Sequence, residues 1–389
     1  MPAAPSSPID PAVGQLLAAA RALGRDGKGI LPLLAAFPDP RARRGVRHPI
    51  AVILALAVCA VLAGARSFVA ITEWAADADQ ATLTGLGVTG RVPSESTFRR
   101  TLQSLDADAL DDAAGAWAQQ RTAPPRGVRR LIAVDGKTLR GSGVVGQPAR
   151  HLLAALDHGR GVVLGQVDVQ AKTNEIPMFA TLLDRIDLAG AVITADALHA
   201  QRAHAEYLVG QRRADYLITV KRNQPGLHAQ LAGLPWRQIP AADVQHGRAH
   251  GRAERRALKV TAVAAGLAFP HAAQAIQVVR RRRPLNSKKW SAETVYAVTS
   301  LTVTQASPAQ LAGILRGHWL IEDSLHWIRD VTYDEDRSQI RTRNGPRVMA
   351  SLRNLVIGIL RLAGHASIAS ALRHHARRPS RPLQTIMHC

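Results

Sequence analysis

Cysteine is nearly missing from this chain: Cys59 lies inside an apolar run and Cys389 is the last residue. Two thiols so placed offer neither a disulfide framework nor a CxxC metal site, so a reducing compartment, the cytoplasm, is expected and neither thiol reads as catalytic. A membrane-length apolar run is missing too. The nearest, PIAVILALAVCAVLAGA from Pro49 to Ala65, falls short of the ~20 residues a span needs and is closed by Gly64 and Arg66, so it reads as a buried core helix. The opening MPAAPSSPIDPAVG has no basic segment followed by an apolar core, and no secretory signal is expected. Acidic residues are scarce: 29 Asp and Glu stand against 50 Lys and Arg, a formal charge of +21. That balance excludes an ordinary metabolic enzyme and points to a polyanionic partner, most simply nucleic acid. Arg greatly outnumbers Lys, which a genome-wide bias explains, but such a bias does not explain the excess of bases over acids.

What is present suffices for a folded protein. With 389 residues, 47% of them hydrophobic, the chain can bury at least one full core, and two or three domains are expected. Residues 1–125 read as a helical domain. Within it Pro93 and Ser94 start a helix whose early turns carry Thr97, Arg99 and Arg100. This is either a recognition helix, with Arg99 and Arg100 on DNA, or a solvated basic face. QQRTAPPRGVRR is the linker candidate.

From Arg130 the pattern changes to strands. LIAVDGKTL is one strand, HLLAALD and GVVLGQVDVQ form a hairpin around HGRG, EIPMFATLLDRID is a helix, AVITADAL a buried strand, AQRAHAEYLVGQ a helix and ADYLITVKRN a strand. By analogy of element order this is an α/β, ribonuclease-H-like core over 128–225, interrupted at 226–303 by a β-rich insertion and resumed at 304–345. The insertion carries three β-type runs, HGRAERRALKVTAV, QAIQVVRRRR and SAETVYAVTSL, and the bare cluster Arg280 to Arg283. A long helix from about Pro308 contains Glu322, and 346–389 reads as one more helix and a basic, frayed tail.

Three acids stand out: Asp135 in LIAVDGKTLRGS, Asp196 in AVITADALHAQ and Glu322 in GHWLIEDSLHW. A lone Asp at the end of a strand is more often a turn or cap residue than a ligand. Two apolar strands ending in Asp, followed by a helical Glu in a very basic protein, read instead as a carboxylate cage for divalent ions in phosphoryl transfer. Gly136 removes a side chain where a phosphate must approach, or serves a tight turn; Lys137 supplies a cation at the same edge. On the Glu322 helix, His318 and Arg329 fall four before and seven after the Glu, nearly on its face. A helical zinc site of His318, Glu322 and His326 is the rival. Trp319 and Trp327 read as core, and Asp330, Asp334, Glu335 and Asp336 as a solvated or structural acidic run.

IAVDGKTLRGS, KTNEIPMF, VITADALHAQ, DYLITVKRNQP, HWLIEDSLHWIRDVTYDED, FPDPRARRGVRHP and PSESTFRR, taken together, closely resemble the H-repeat-associated branch of bacterial insertion-sequence transposases of the Asp-Asp-Glu class, from about residue 30 to 375. The resemblance implies a ribonuclease-H-like catalytic core and two magnesium or manganese ions held by Asp135, Asp196 and Glu322. It also implies an oligomer of this chain on double-stranded DNA, in the cytoplasm at the nucleoid. Lys137, Lys221, His318, Arg329, Arg99 and Arg100 would contact that DNA. The broader class often has Tyr, Arg and Lys at seven and four before and seven after the Glu; here those places hold Leu315, His318 and Arg329, and only the last keeps its charge type. A nuclease that cuts without joining, and a non-catalytic DNA-binding remnant, are the alternatives; loss of a carboxylate would mark the latter.

Overall fold

The computed structural model describes residues 29–42, 44, 46–169, 174–249, 251–263 and 266–389. The opening segment, residues 43 and 45 of FPDPRARRGVRHP and residues 172 and 173 of KTNEIPMF lie outside those described. Among the described residues, nine strands form one sheet: β1 Leu131–Thr138, β2 His151–Asp157, β3 Val162–Val169, β4 Val192–Ala195, β5 Asp215–Val220, β6 Asp243–Ala249, β7 Arg252–Ala262, β8 Gln274–Pro284 and β9 Ser291–Thr299. Their order is β3-β2-β1-β4-β5-β9-β8-β7-β6. The first three pair antiparallel, while β4 and β5 run parallel to β1. Parallel neighbours need crossovers, here supplied by the helix Glu175–Leu183 before β4 and by Arg202–Glu206, extended by Tyr207–Gln211, before β5.

The insertion does not stand apart from this sheet, because β9 pairs antiparallel with β5 and continues it. It holds four strands rather than three. The run HGRAERRALKVTAV spans the end of β6 and all of β7, and the chain turns at Gly251, whose φ of +70° only glycine adopts without strain.

The apolar run expected to be a core helix forms Ile50–Leu62, in which every side chain is buried. Helices Ile30–Ala36, Phe68–Asp77 and Gly345–Leu362 pack around it. No described helix is long and apolar enough to cross a membrane. The tail differs from the frayed end expected: Ile368–Ala376 and Ser380–Met387 are helices, and Leu372 and Ile386 are buried in the core. Spaced apolar residues among the arginines give these helices one face to bury.

A buried polar network joins these layers. Glu335, 2% exposed, accepts from Arg329 Nε at 2.8 Å and Arg353 Nη1 at 2.7 Å. Arg329 Nη1 also donates to Asn354 Oδ1 at 3.3 Å, and Asn354 Nδ2 to Gln166 Oε1 on β3 at 2.8 Å. Gln166 in turn reaches Asp111 of helix Ala107–Arg121, which pairs with Arg347 at 2.9 Å. Burial alone would push the Glu335 carboxyl up, but the two guanidiniums outweigh it and hold the carboxyl near about 2. Because the folded value is depressed, the stabilisation from this group is fully present above its unfolded value and is lost progressively as pH falls from there through about 2. Glu335→Gln leaves two buried cations uncompensated and is expected to cost ~3–5 kcal/mol. Denaturant unfolding of this variant measures it, and a wild-type midpoint would remove the clamp from the account.

Candidate active site

Asp135 and Asp196 come together through strand register. In the parallel pair, Val134 faces Ala195, so the next residue on each strand reaches the same level of the sheet edge. Asp196 follows the last residue of β4 and accepts from the Leu198 backbone N–H at 2.9 Å, which fixes the turn. Asp135 lies within its strand, and β1 continues to Thr138. Glu322 arrives from the far side of the sequence, and Asp135, Asp196, Lys221, His318 and Glu322 line one cleft. Its other wall comes from the insertion, through Arg280 and Glu293.

The helix bearing Glu322 is not a continuous α-helix. Pro308–Gly317 is α-helical, but the Trp327 N–H donates to Glu322 O and the Tyr333 N–H to Ile328 O, five residues back in each case. Such wide turns recur at functional sites. His326 Nδ1 lies 2.9 Å from Glu322 Oε2 and 3.7 Å from Asp135 Oδ2. Asp135, Glu322 and His326 each offer a ligand atom within 4.8 Å of the others, a group that could hold a metal ion.

Burial pushes the Asp135 carboxyl up to about 7; the Gly136 amide opposes this, while the charges of Asp196, Glu175 and Glu322 add to it. Glu322 is lowered, first by its hydrogen bond with His326 and against its own burial. Burial lowers His318 to about 4, so it is neutral at pH 7. Its Nδ1 sits 3.2 Å from Thr194 Oγ1, which also meets His158 Nε2 at 3.0 Å. The rival zinc triad is not assembled among the described residues: the ligand atoms that meet are those of Asp135, Glu322 and His326, without His318.

The model of the Transposase DDE domain family matches residues 126–359, and that of the DDE_Tnp_1-associated family residues 31–118. The chain belongs to the DDE transposase family, in its H-repeat-associated branch. It is 29% identical over 360 residues to a protein named as a candidate transposase, YncI of Escherichia coli O157:H7, covering 86% of this chain and 87% of that one. It is equally 29% identical over 348 residues to the H repeat-associated candidate transposase YhhI of Escherichia coli K12, covering 86% and 90%. The piggyBac transposase synaptic complex with hairpin DNA is a distant likeness, at TM-score 0.42 and 13% identity over 97% of this chain and 79% of that one.

Several DNA-contact expectations for this transposase need correction. Arg329 is 1% exposed and bound to Glu335, because the wide winding carries it off the Glu322 face into the core. Lys137 is 8% exposed and paired with Asp330, tying β1 to the Glu322 helix rather than facing a ligand. Glu335 is structural, as one reading of the acidic run had it. Trp319 and Trp327, expected in the core, are both 54% exposed. Lys221 is exposed at the cleft. Arg99 and Arg100 are exposed on helix Glu95–Ser104, away from the cleft lining; Arg99 bonds Glu95 at 3.0 Å and Arg100 the Ser96 carbonyl at 3.1 Å.

Glu175 was missed by sequence reasoning. Its carboxylate lies 2.7 Å from His151 Nε2 and 3.1 Å from His199 Nε2, and these contacts pull it down to about 2 against its burial. Its signal lay in KTNEIPMF, where Asn174 caps the helix that Glu175 begins. Gly136 serves this cluster: a Cβ there would stand 2.2 Å from Glu175 Oε1 and 2.6 Å from His151 Nε2. Gly136→Ala is therefore expected to displace the Glu175 carboxylate and cost ~1–3 kcal/mol through overpacking. Thermal unfolding checks this, and an unchanged midpoint would show that the cluster yields freely.

Proposed function

We propose that this transposase binds the ends of its insertion sequence as double-stranded DNA, cleaves the strands by hydrolysis, and joins the released 3′-hydroxyls to target DNA. The observation that supports this most is the lining of one cleft by Asp135, Asp196 and Glu322, from three distant parts of the chain. The core would be ribonuclease-H-like over 128–225 and 304–345. Its support is the order β3-β2-β1-β4-β5, antiparallel then parallel, with one Asp on β1 and the other just past β4. Residues 1–125 would form the domain that reads the ends, 226–303 the insertion, and the protein would act as an oligomer on DNA at the nucleoid.

The donors that meet are the Asp135 and Glu322 carboxylates with the His326 ring nitrogen, and Asp196 lines the same cleft; two or three carboxylates with one imidazole suit magnesium or manganese, and Lys137 beside them is bound to Asp330. Magnesium or manganese, two ions in this reading, would supply charge stabilisation for the attacking and leaving oxygens. The protein's part is positional. Asp135 and Asp196 are held by β1 and by the turn after β4, and His326 orients Glu322. Neutral His318 adds no positive charge to the cleft lining, and exposed Lys221 would face a phosphate there. Water and then the 3′-hydroxyl would be successive nucleophiles in one site, with no covalent protein intermediate.

Asp135→Asn, Asp196→Asn or Glu322→Gln is expected to abolish strand cleavage in magnesium while duplex binding survives, because removing negative charge beside a polyanion does not weaken attraction. Cleavage of end duplexes by any one of these variants at the wild-type rate would refute its assignment. Products joined to target from a pre-cut end separate a transposase from a nuclease that only cuts.

Proton and cation compete for Asp135. With the carboxyl raised to about 7 by burial, manganese affinity should fall by about tenfold per pH unit below that value, one proton being displaced per ion bound. Manganese titrations followed by electron paramagnetic resonance between pH 5.5 and 8 test this. Equal affinity at both ends would separate the ion from Asp135.

A further inference from the structure

The insertion strands sort their charges by face. Paired residues of antiparallel strands point to the same side of a sheet, and alternate residues to opposite sides. The pairs Gln245–Arg256, Arg256–Arg280, Glu254–Arg282 and Arg280–Glu293 put Arg256, Arg280, Arg282, Glu254 and Glu293 on one face. Asp243 and Arg252 share it, so this face carries four arginines and three acids, a net of +1. Here Glu254 takes Arg256 at 2.6 Å, Arg280 at 3.3 Å and Arg282 at 3.6 Å. This is also the face toward the cleft, which Val278, Arg280, Glu293 and Val295 line.

The other face carries Arg248, Arg255, Arg281 and Arg283 with His246, through the pairs His246–Arg255, Arg248–Ala253, Arg255–Arg281 and Ala253–Arg283. Over the same strands it has no acid; with Lys259 of β7, whose Nζ donates to the Trp236 carbonyl, its net is +5. None of these four arginines forms an ion pair among the described residues. Arg248, Arg281 and His246 are exposed, and Ala253 and Ala257 lie low between the arginines. Arg283 stacks over the Trp290 ring at 5.3 Å, which holds its planar head at the surface.

We propose that this back face of β6–β9 is a docking surface for duplex DNA, and that it holds a different duplex from the one whose strand enters the cleft. The first half follows from charge: guanidiniums without acidic partners, on a face without acids, match phosphates rather than base edges. The second follows from position. Cleft and back face lie on opposite sides of one sheet, and DNA with a persistence length of ~150 bp does not fold around a single strand layer. The inference rests on the reading that this chain acts on DNA. It also divides the cluster Arg280 to Arg283, assigning Arg281 and Arg283 to phosphates and Arg280 and Arg282 to Glu254.

The test uses the full-length protein carrying Arg248→Gln, Arg255→Gln, Arg281→Gln and Arg283→Gln together, and a second protein with Lys at all four positions. A labelled random duplex is titrated by anisotropy across a salt series, with and without saturating unlabelled end duplex. Wild type saturated with end duplex should take up the random duplex. The Gln protein should lose that uptake, with a log–log salt slope shallower by about 3–4 units at ~0.9 per phosphate contact. The Lys protein should regain most of it, which a folding defect would not allow, and cleavage of a short end duplex should survive in both. Random-duplex binding by the Gln protein equal to wild type, or no second duplex on saturated wild type, would overturn the proposal. Absence of cleavage by wild type would count against the transposase chemistry alone, since the salt slopes still decide the surface.

Discussion

The Glu335 carboxylate, held between Arg329 and Arg353, is the contact on which the arrangement of the cleft depends. It fastens the end of the Glu322 helix to the long helix Gly345–Leu362, and through Asn354 and Gln166 to β3. Desolvating three charges is costly, and it is tolerated because each finds a partner of fixed geometry. Once this clamp sets the helix, Lys137 and Asp330 bring β1 against it, and His326 turns Glu322 toward Asp135. The same network reaches Asp111, so the N-terminal helices share the anchor of the site.

The cleft shows the opposite balance. Asp135, Asp196, Glu175 and Glu322 repel one another, and the rise in the Asp135 carboxyl records both that repulsion and its burial. The nearby cations are bound to other acids, Arg329 to Glu335 and Lys137 to Asp330, although the Lys137 charge still helps to lower Glu322. Histidines take their place: His326 on Glu322, His151 and His199 on Glu175. A carboxylate cluster kept short of fixed positive charge retains affinity for a mobile cation. The clamp supplies the rigidity that lets such a cluster persist.

Charge in this transposase is distributed by structural position as much as by amount. Arg329, Arg347 and Arg353 are buried counter-ions, Arg256, Arg280 and Arg282 are gathered by Glu254, and Arg281 and Arg283 lie on the far face with no acidic partner among the described residues. The composition alone would have counted all of them as DNA contacts.

Local pattern determined much. The apolar run at 50–62, the hairpin of β2 and β3, the strand before Asp196 and the alternation through β5 were legible because periodicity and turn residues act over a few positions. That Asp135, Asp196 and Glu322 line one cleft was foreshadowed only by their order, two acids at strand ends and a later acid on a helix in a very basic chain. What escaped depended on partners far along the chain. Arg329 reads as a cation on the Glu322 face if the helix is α-helical, and only the wide winding and Glu335 turn it inward. Glu175 is an ordinary first-turn acid until two histidines from other elements meet it. The arginines of the insertion look alike in sequence, and strand register alone decides which face each one takes. Sequence fixes the period of an element, whereas the face a side chain presents, and whether its charge is free, depends on which elements pack beside it.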